Sequence, residues 1–169
     1  MLDARNAPVN VYLSAGSNIA PVENPKLACK QLEGEYGDLT LSSVYQNAAV
    51  GFEGDDFLNM VIGFSTVEQP ELIVDRLESL HDKAKRERQA DPFSSRTLDL
   101  DLLLYGDLVR NGAPVLPRED IEKYGFVLGP MAEVAPELRH PVSGMTMGEI
   151  WDDFDCESHA MHKVEIGLT

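Results

Sequence analysis

Long apolar runs are missing from this chain. No stretch approaches the roughly 18 to 20 consecutive apolar residues that a membrane-spanning helix needs, so such a helix is excluded. Cysteine is nearly absent: Cys29 and Cys156 lie far apart and form no CxxC pair, which argues against a disulfide framework or a zinc ribbon. The opening residues Met1-Leu2-Asp3-Ala4-Arg5-Asn6-Ala7-Pro8 carry no apolar core of the kind that marks a signal peptide, and a cytoplasmic protein is expected. Cations are scarce too. Fourteen Lys and Arg stand against 29 Asp and Glu, a formal net charge of −15, and both nucleic acid and anionic membranes would repel such a surface. There is also no G-x-x-x-x-G-K-[ST] loop, so any phosphate must be held by other means. The remaining partner class is a small molecule, and a monomer is the working expectation.

The 169 residues, 43% apolar and 25% charged, suit one domain spanning 1–169 with a real core. Val9 to Ala15 alternates and reads as a first strand. Asn24-Pro25 offers an N-cap and a first helical residue, so a helix is expected from about Pro25 to Tyr36. Leu39 to Ala49 and Phe57 to Thr66 read as two further strands. Pro70 opens a second helix whose stripe of Ile73, Leu77, Leu80 and Ala84 runs down to a basic cluster. Arg88 to Ser95 reads as a loop, and Thr97 to Tyr105 as a strong strand. Val115 to Val134 reads as irregular or short-helical, and Met147 to Phe154 as a last short helix. The order β-α-β-β-α-β predicts an α+β fold, a ferredoxin-like sandwich with an antiparallel sheet, helices on one face and extra C-terminal elements.

Asp99 and Asp101 are the sharpest chemical feature. Two apart on a strand, they share one face, while Leu98, Leu100 and Leu102 point to the other. Carboxylates this close repel unless a cation lies between them, and hard divalent ions, Mg²⁺ above all, suit such oxygens. A solvent-facing strand that happens to carry two aspartates is the alternative. Arg96 lies beside the pair, and Arg86 and Arg88 lie at the end of the second helix. Guanidinium groups match phosphate oxygens in a bidentate way, although a basic helix end also complements the helix dipole. The residues alone thus reach Mg²⁺- and nucleotide-dependent transfer.

The run Arg96-Thr97-Leu98-Asp99-Leu100-Asp101-Leu102-Leu103 resembles the signature of the 6-hydroxymethyl-7,8-dihydropterin pyrophosphokinase family. The likeness extends over about 11–140, through Val11-Tyr12-Leu13-Ser14-Ala15-Gly16-Ser17-Asn18, Ser42-Ser43-Val44-Tyr45, Phe57-Leu58-Asn59, Gly125-Phe126-Val127-Leu128-Gly129-Pro130 and Ala135-Pro136-Glu137-Leu138. The resemblance implies transfer of pyrophosphate from ATP to a pterin hydroxymethyl group in folate biosynthesis, with release of AMP. By the same resemblance Asp99 and Asp101 would hold two Mg²⁺ ions, and Arg86 and Arg96 would act on the phosphates. Arg88, Leu102 and Arg118 would join Arg96 on the ATP side. Phe57 and Phe126 would sandwich the pterin ring, Asn59 would bond its edge, and Asn47 and Val50 would frame it.

Several positions depart from that pattern. Arg118 follows Leu116-Pro117 where the family has histidine, Glu119 replaces an aromatic residue, and Tyr124 replaces an arginine. His81 aligns with a glutamate near the nucleotide ribose, and Phe93-Ser94-Ser95 replaces a tryptophan–glycine–proline loop. These changes cluster on the ATP side. An active enzyme with a retuned nucleotide grip and a diverged pterin-binding paralogue are both compatible with them. The tail, 151–169, reads as an acidic, partly ordered terminus, with metal binding by Asp152, Asp153, Asp155, Cys156, Glu157, His159 and His162 as the other reading.

Overall fold

The computed structural model describes residues 7–18, 23–47, 56–90, 98–156 and 161–165, with backbone alone at 18, 23–24 and 85–90. In chain order the elements are β1 (Val9–Asn18), α1 (Glu23–Tyr36), β2 (Thr40–Leu41), β3 (Val44–Asn47), β4 (Phe57–Thr66), α2 (Pro70–Ala90), β5 (Leu98–Tyr105), α3 (Asp120–Lys123), α4 (Gly125–Val134), α5 (Met147–Asp152) and β6 (His162–Val164). The sheet runs β5-β1-β4-β3-β6, with β2 also pairing β4, and every pairing is antiparallel. Its β5-β1-β4-β3 portion, with α1 and α2 as crossovers, is the expected ferredoxin-like plan.

Period-two alternation decides which side chains meet which layer. Val11, Leu13 and Ala15 of β1, Leu58, Met60, Ile62 and Phe64 of β4, and Leu98, Leu100 and Leu102 of β5 all point one way. Ala28, Cys29 and Leu32 of α1 and Ile73, Leu77, Leu80 and Ala84 of α2 cover them. The C-terminal elements form a second layer on the opposite face. There Val61, Leu103 and Leu104 pack under Ile121, Val127, Leu128, Met131, Met147 and Ile150. A register shift opposite Tyr12 and Leu13 leaves Leu103 as an extra residue, and this bulge lets Leu103 and Leu104 both face the second layer. No helix among the described residues is long and apolar enough to cross a membrane.

Some boundaries differ from the sequence reading. The first helix begins at Glu23, so Asn24 and Pro25 lie inside its first turn, where proline's missing N–H costs nothing. The expected single strand from Leu39 to Ala49 is broken at Ser42 and Ser43. The Ser42 N–H keeps its bond to the Val61 carbonyl (3.0 Å), but the Val61 N–H donates to the Ser42 hydroxyl (2.8 Å), which itself donates to the Ser43 carbonyl (2.7 Å), so a side-chain bond replaces one ladder bond. The second helix runs on to Ala90, through Arg88, because Arg, Glu, Gln and Ala all favour helix. Burial of Val127, Leu128 and Met131 outweighs the poor propensity of Gly125, Gly129 and Pro130 and makes α4 a regular helix. The last short helix falls where it was expected, as α5, capped by the Thr146 hydroxyl, which accepts from the Glu149 N–H at 3.1 Å; the unexpected part of the tail is β6, an edge strand beside β3.

Candidate active site

The second layer covers only part of its face of the sheet. At the end where β1 and β3 finish and β4 and β5 begin, it leaves a cavity of about 220 Å³ lined by Ser14, Gly16, Asn47, Phe57, Asn59, Asp99, Asp101, Asp120, Phe126 and Val127. Strand parity puts these side chains there. Even positions of β1, odd positions of β3 and β4, and the odd positions of β5 up to the bulge at Leu103 look away from the α1–α2 core. Gly16 pairs with Asn59 on one side and with Asp99 on the other, so it lies between the amide and carboxylate parts of the site. A Cβ on Gly16 would come to 3.0 Å from the Asn59 Oδ1, and glycine therefore keeps that amide seated over the sheet.

One wall is neutral. The Asn59 Nδ2 donates to the Asn47 Oδ1, and both residues are buried. Phe126 closes this side from α4, its ring stacked on Tyr124 with centroids 5.0 Å apart and planes 17° from parallel. Flat apolar walls with a few edge hydrogen-bonding groups suit a planar heterocycle.

The other wall is anionic. Burial pushes the Asp101 carboxyl above its ordinary range; Arg118 opposes this, while Asp120 and Asp99 reinforce it. Arg118 is placed by its own N–H, which donates to the Leu103 carbonyl at 2.9 Å. Its Nε lies 3.1 Å from the Asp120 Oδ2 and its Nη2 3.7 Å from the Asp101 Oδ1. Between the two aspartates of β5, the Leu100 N–H donates to the His81 Nε2 at 2.8 Å, so α2 caps the outer edge of this strand with an imidazole. The His81 Nδ1 lies 3.5 Å from Glu78.

Asn47, Phe57, Asn59, Asp99, Asp101 and Phe126, singled out from the sequence, thus line one cavity, with Arg118 at its acidic side. Leu102 is buried in the α1–α2 core, its side chain on the opposite face. Val50, Phe93, Arg96 and the side chains of Arg86 and Arg88 lie outside the described residues. Sequence reasoning missed Ser14, Asp120 and Val127. Ser14 was within reach, being two residues before Gly16 on the same strand face. Asp120 carries no local signal, because only the placement of α3 brings it to β5. Among the described residues no three His, Cys, Asp or Glu side chains gather closely enough to hold a metal alone.

The sequence profile of the 7,8-dihydro-6-hydroxymethylpterin-pyrophosphokinase family matches residues 12–136. The chain is 33% identical over 141 residues to a 2-amino-4-hydroxy-6-hydroxymethyldihydropteridine pyrophosphokinase of Haemophilus influenzae, covering 80% of this chain and 87% of the relative. A Synechocystis protein of the same name is 31% identical over 151 residues, covering 83% of this chain and 74% of that one. Among solved structures, wild-type Plasmodium falciparum HPPK-DHPS matches with a TM-score of 0.70 at 11% identity, over 89% of this chain and 45% of that one. An HPPK-DHPS in complex with substrates gives a TM-score of 0.71 at 10% identity, over 89% and 44%. The chain spans less than half of these two structures, and the likeness to them is one of fold. Because the profile match runs through every strand of the cavity and the relatives cover most of the chain, the protein belongs to the 7,8-dihydro-6-hydroxymethylpterin-pyrophosphokinase family.

Proposed function

We propose that the protein transfers pyrophosphate from ATP to the hydroxymethyl group of 6-hydroxymethyl-7,8-dihydropterin, giving the pterin diphosphate and AMP, as a step of folate biosynthesis. Family membership supports the reaction. The observation that carries the assignment to this site is one cavity with an aromatic and amide wall opposite an aspartate wall. The ring is taken to lie against Phe126 and Phe57, with Asn59 and Asn47 reading its edge. That placement directs the exocyclic hydroxymethyl group toward Asp99 and Asp101.

The chain's part in the chemistry is positioning and charge. The hydroxyl oxygen attacks the β-phosphorus in line and loses its proton. The bond from that phosphorus to the oxygen shared with the α-phosphate breaks, and AMP leaves with the oxygen. Arg118, with Arg86, Arg88 and Arg96 on the nucleotide side, offsets the charge of the transferring group. The donor set fits Mg²⁺. Asp99, Asp101 and Asp120 offer hard oxygens at one wall, Asp101 is electrostatically unfavourable without a cation, and Mg²⁺ commonly takes one or two carboxylates plus substrate phosphates. Two ions held by Asp99 and Asp101 would supply Lewis-acid polarisation of the phosphates.

Mixing the purified protein with ATP, the hydroxymethyl dihydropterin and Mg²⁺ should release AMP and pterin diphosphate in equal amounts. Asp99→Asn should reduce the rate at least about 100-fold. Folded wild-type protein that forms no AMP overturns the assignment.

A further inference from the structure

Arg118 brings a fixed positive charge to the acidic wall of the cavity, and its surroundings give that charge a consequence. An arginine stays charged at any working pH, whereas a histidine is largely neutral at pH 7. The main-chain bond to Leu103 fixes Arg118 two residues along β5 from Asp101. From there the guanidinium spans Asp120 at 3.1 Å and Asp101 at 3.7 Å. A permanent protein cation therefore already sits between two of the carboxylates that a divalent ion would use.

We propose that Arg118 is a stand-in counter-ion that couples nucleotide binding to divalent-ion binding. Without nucleotide it neutralises Asp101 and Asp120 and disfavours the ion. When the polyphosphate arrives, the guanidinium transfers to phosphate oxygens and leaves the carboxylates to the metal. The exchange is physically easy. Arg118 is 42% exposed, partly exposed ion pairs are weak, and the Arg–phosphate fork that replaces this one is stronger. Only the guanidinium need move, because the main chain stays tied to Leu103. By linkage the coupling is reciprocal, and a typical value is about 5- to 150-fold in affinity.

The role rests on the proposed pyrophosphokinase reading, but its test needs no turnover, so the two fail separately. Mn²⁺ binding to the full chain is measured by electron paramagnetic resonance, with and without α,β-methylene-ATP. The analogue's own affinity for Mn²⁺ is common to all variants and cancels between them. Arg118→Gln should bind Mn²⁺ at least about five-fold tighter than wild type without nucleotide, and should lose a similar factor of the enhancement that the analogue brings. Lys123→Gln removes a nearby charge from α3 without touching Asp101 or Asp120, and should do neither. The proposal is overturned if Arg118→Gln leaves nucleotide-free Mn²⁺ affinity unchanged. It is equally overturned if the tightening is the same with and without analogue, or is matched by Lys123→Gln. On the wild-type chain, the Arg118 Nε–H resonance should shift when metal-free analogue is added. A resonance that stays put overturns the proposal even if the glutamine variant does not fold.

Discussion

Asp101 is half-buried, with Asp120 and Asp99 adding to the cost of its charge and Arg118, with a smaller contribution from His81, relieving it in part. Its folded-state carboxyl therefore binds a proton more readily than the unfolded one. The sign follows from linkage: relative stability is greatest below the ordinary aspartate range and is lost as pH rises through the folded value. At neutral pH the residue is a liability to the fold, kept where the proposed reaction needs a carboxylate. Asp101→Asn should accordingly raise the melting temperature at pH 7 by about 1–4 °C while removing AMP formation, and the gain should vanish near pH 3. A calorimetric scan at both pH values checks this; a lower melting temperature at pH 7 would show that the Arg118 contact outweighs burial. Burial has the opposite consequence for reactivity at Cys29. Its thiol is pushed up to about 11 by burial and by Glu33, so it behaves as a small apolar core residue.

Among the elements, α4 has the most to position, since it carries Phe126 and Val127 at one end and must be held over the sheet at the other. Glu133 provides that hold. Its carboxylate accepts from the Ser43 N–H (3.0 Å), the Ser43 hydroxyl (2.6 Å) and the Tyr45 hydroxyl (2.9 Å), all on or beside β3. Burial pushes this carboxyl up, yet the hydrogen bonds together hold it below the ordinary range. A depressed carboxyl contributes stability that is present above the unfolded value and lost as pH falls through the folded one. Glu133→Ala should cost about 1–2 kcal/mol at pH 7, or about 2–8 °C in melting temperature. The gap between wild type and variant should close below about pH 4. Because the same bonds set the tilt of α4, the variant should also bind pterin more weakly. A full gap persisting at pH 3 would point to packing rather than the charged hydrogen bonds. On the other face, α2 serves β5 in a comparable way, with His81 satisfying an edge N–H between the two aspartates.

At the scale of the whole chain, 29 acidic against 14 basic residues make the net charge −15. Such a surface repels itself in the compact state, and the repulsion is screened over about 8 Å at 0.15 M salt but reaches about 30 Å at 0.01 M. The melting temperature should therefore rise as NaCl is taken from 10 to 150 mM, and rise similarly with KCl. A flat or falling dependence would mean that specific ion pairs, such as Arg76 with Glu68 and Glu35, outweigh the overall repulsion. An anionic protein that takes an anionic co-substrate must also concentrate its cations. Lys83, Lys85, Arg86, Arg88 and Arg96 fall in one short stretch of the sequence, and under the proposed function they would give ATP a local approach that the global charge opposes.

Much of this protein was legible from local chemistry. Strand alternation around Asp99 and Asp101 determined that both carboxylates leave the core while Leu98, Leu100 and Leu102 enter it, because that periodicity belongs to the backbone and needs no partner. The stripe of Ile73, Leu77, Leu80 and Ala84 likewise determined the buried face of α2. The two-serine break between β2 and β3 and the strand β6 were not legible, and the choice between irregular chain and helix at α4 stayed open, since each depends on a bond or burial supplied by a distant segment: Val61, β3 and the second face of the sheet. The same holds for the site. Asn59 and Asp99 could be named separately, but their meeting on either side of Gly16 depends on the order in which β4 and β5 flank β1. Asp120 and the placement of Arg118 belong wholly to the tertiary structure, because only the Leu103 carbonyl and the packing of α3 bring that guanidinium between two aspartates from different parts of the chain.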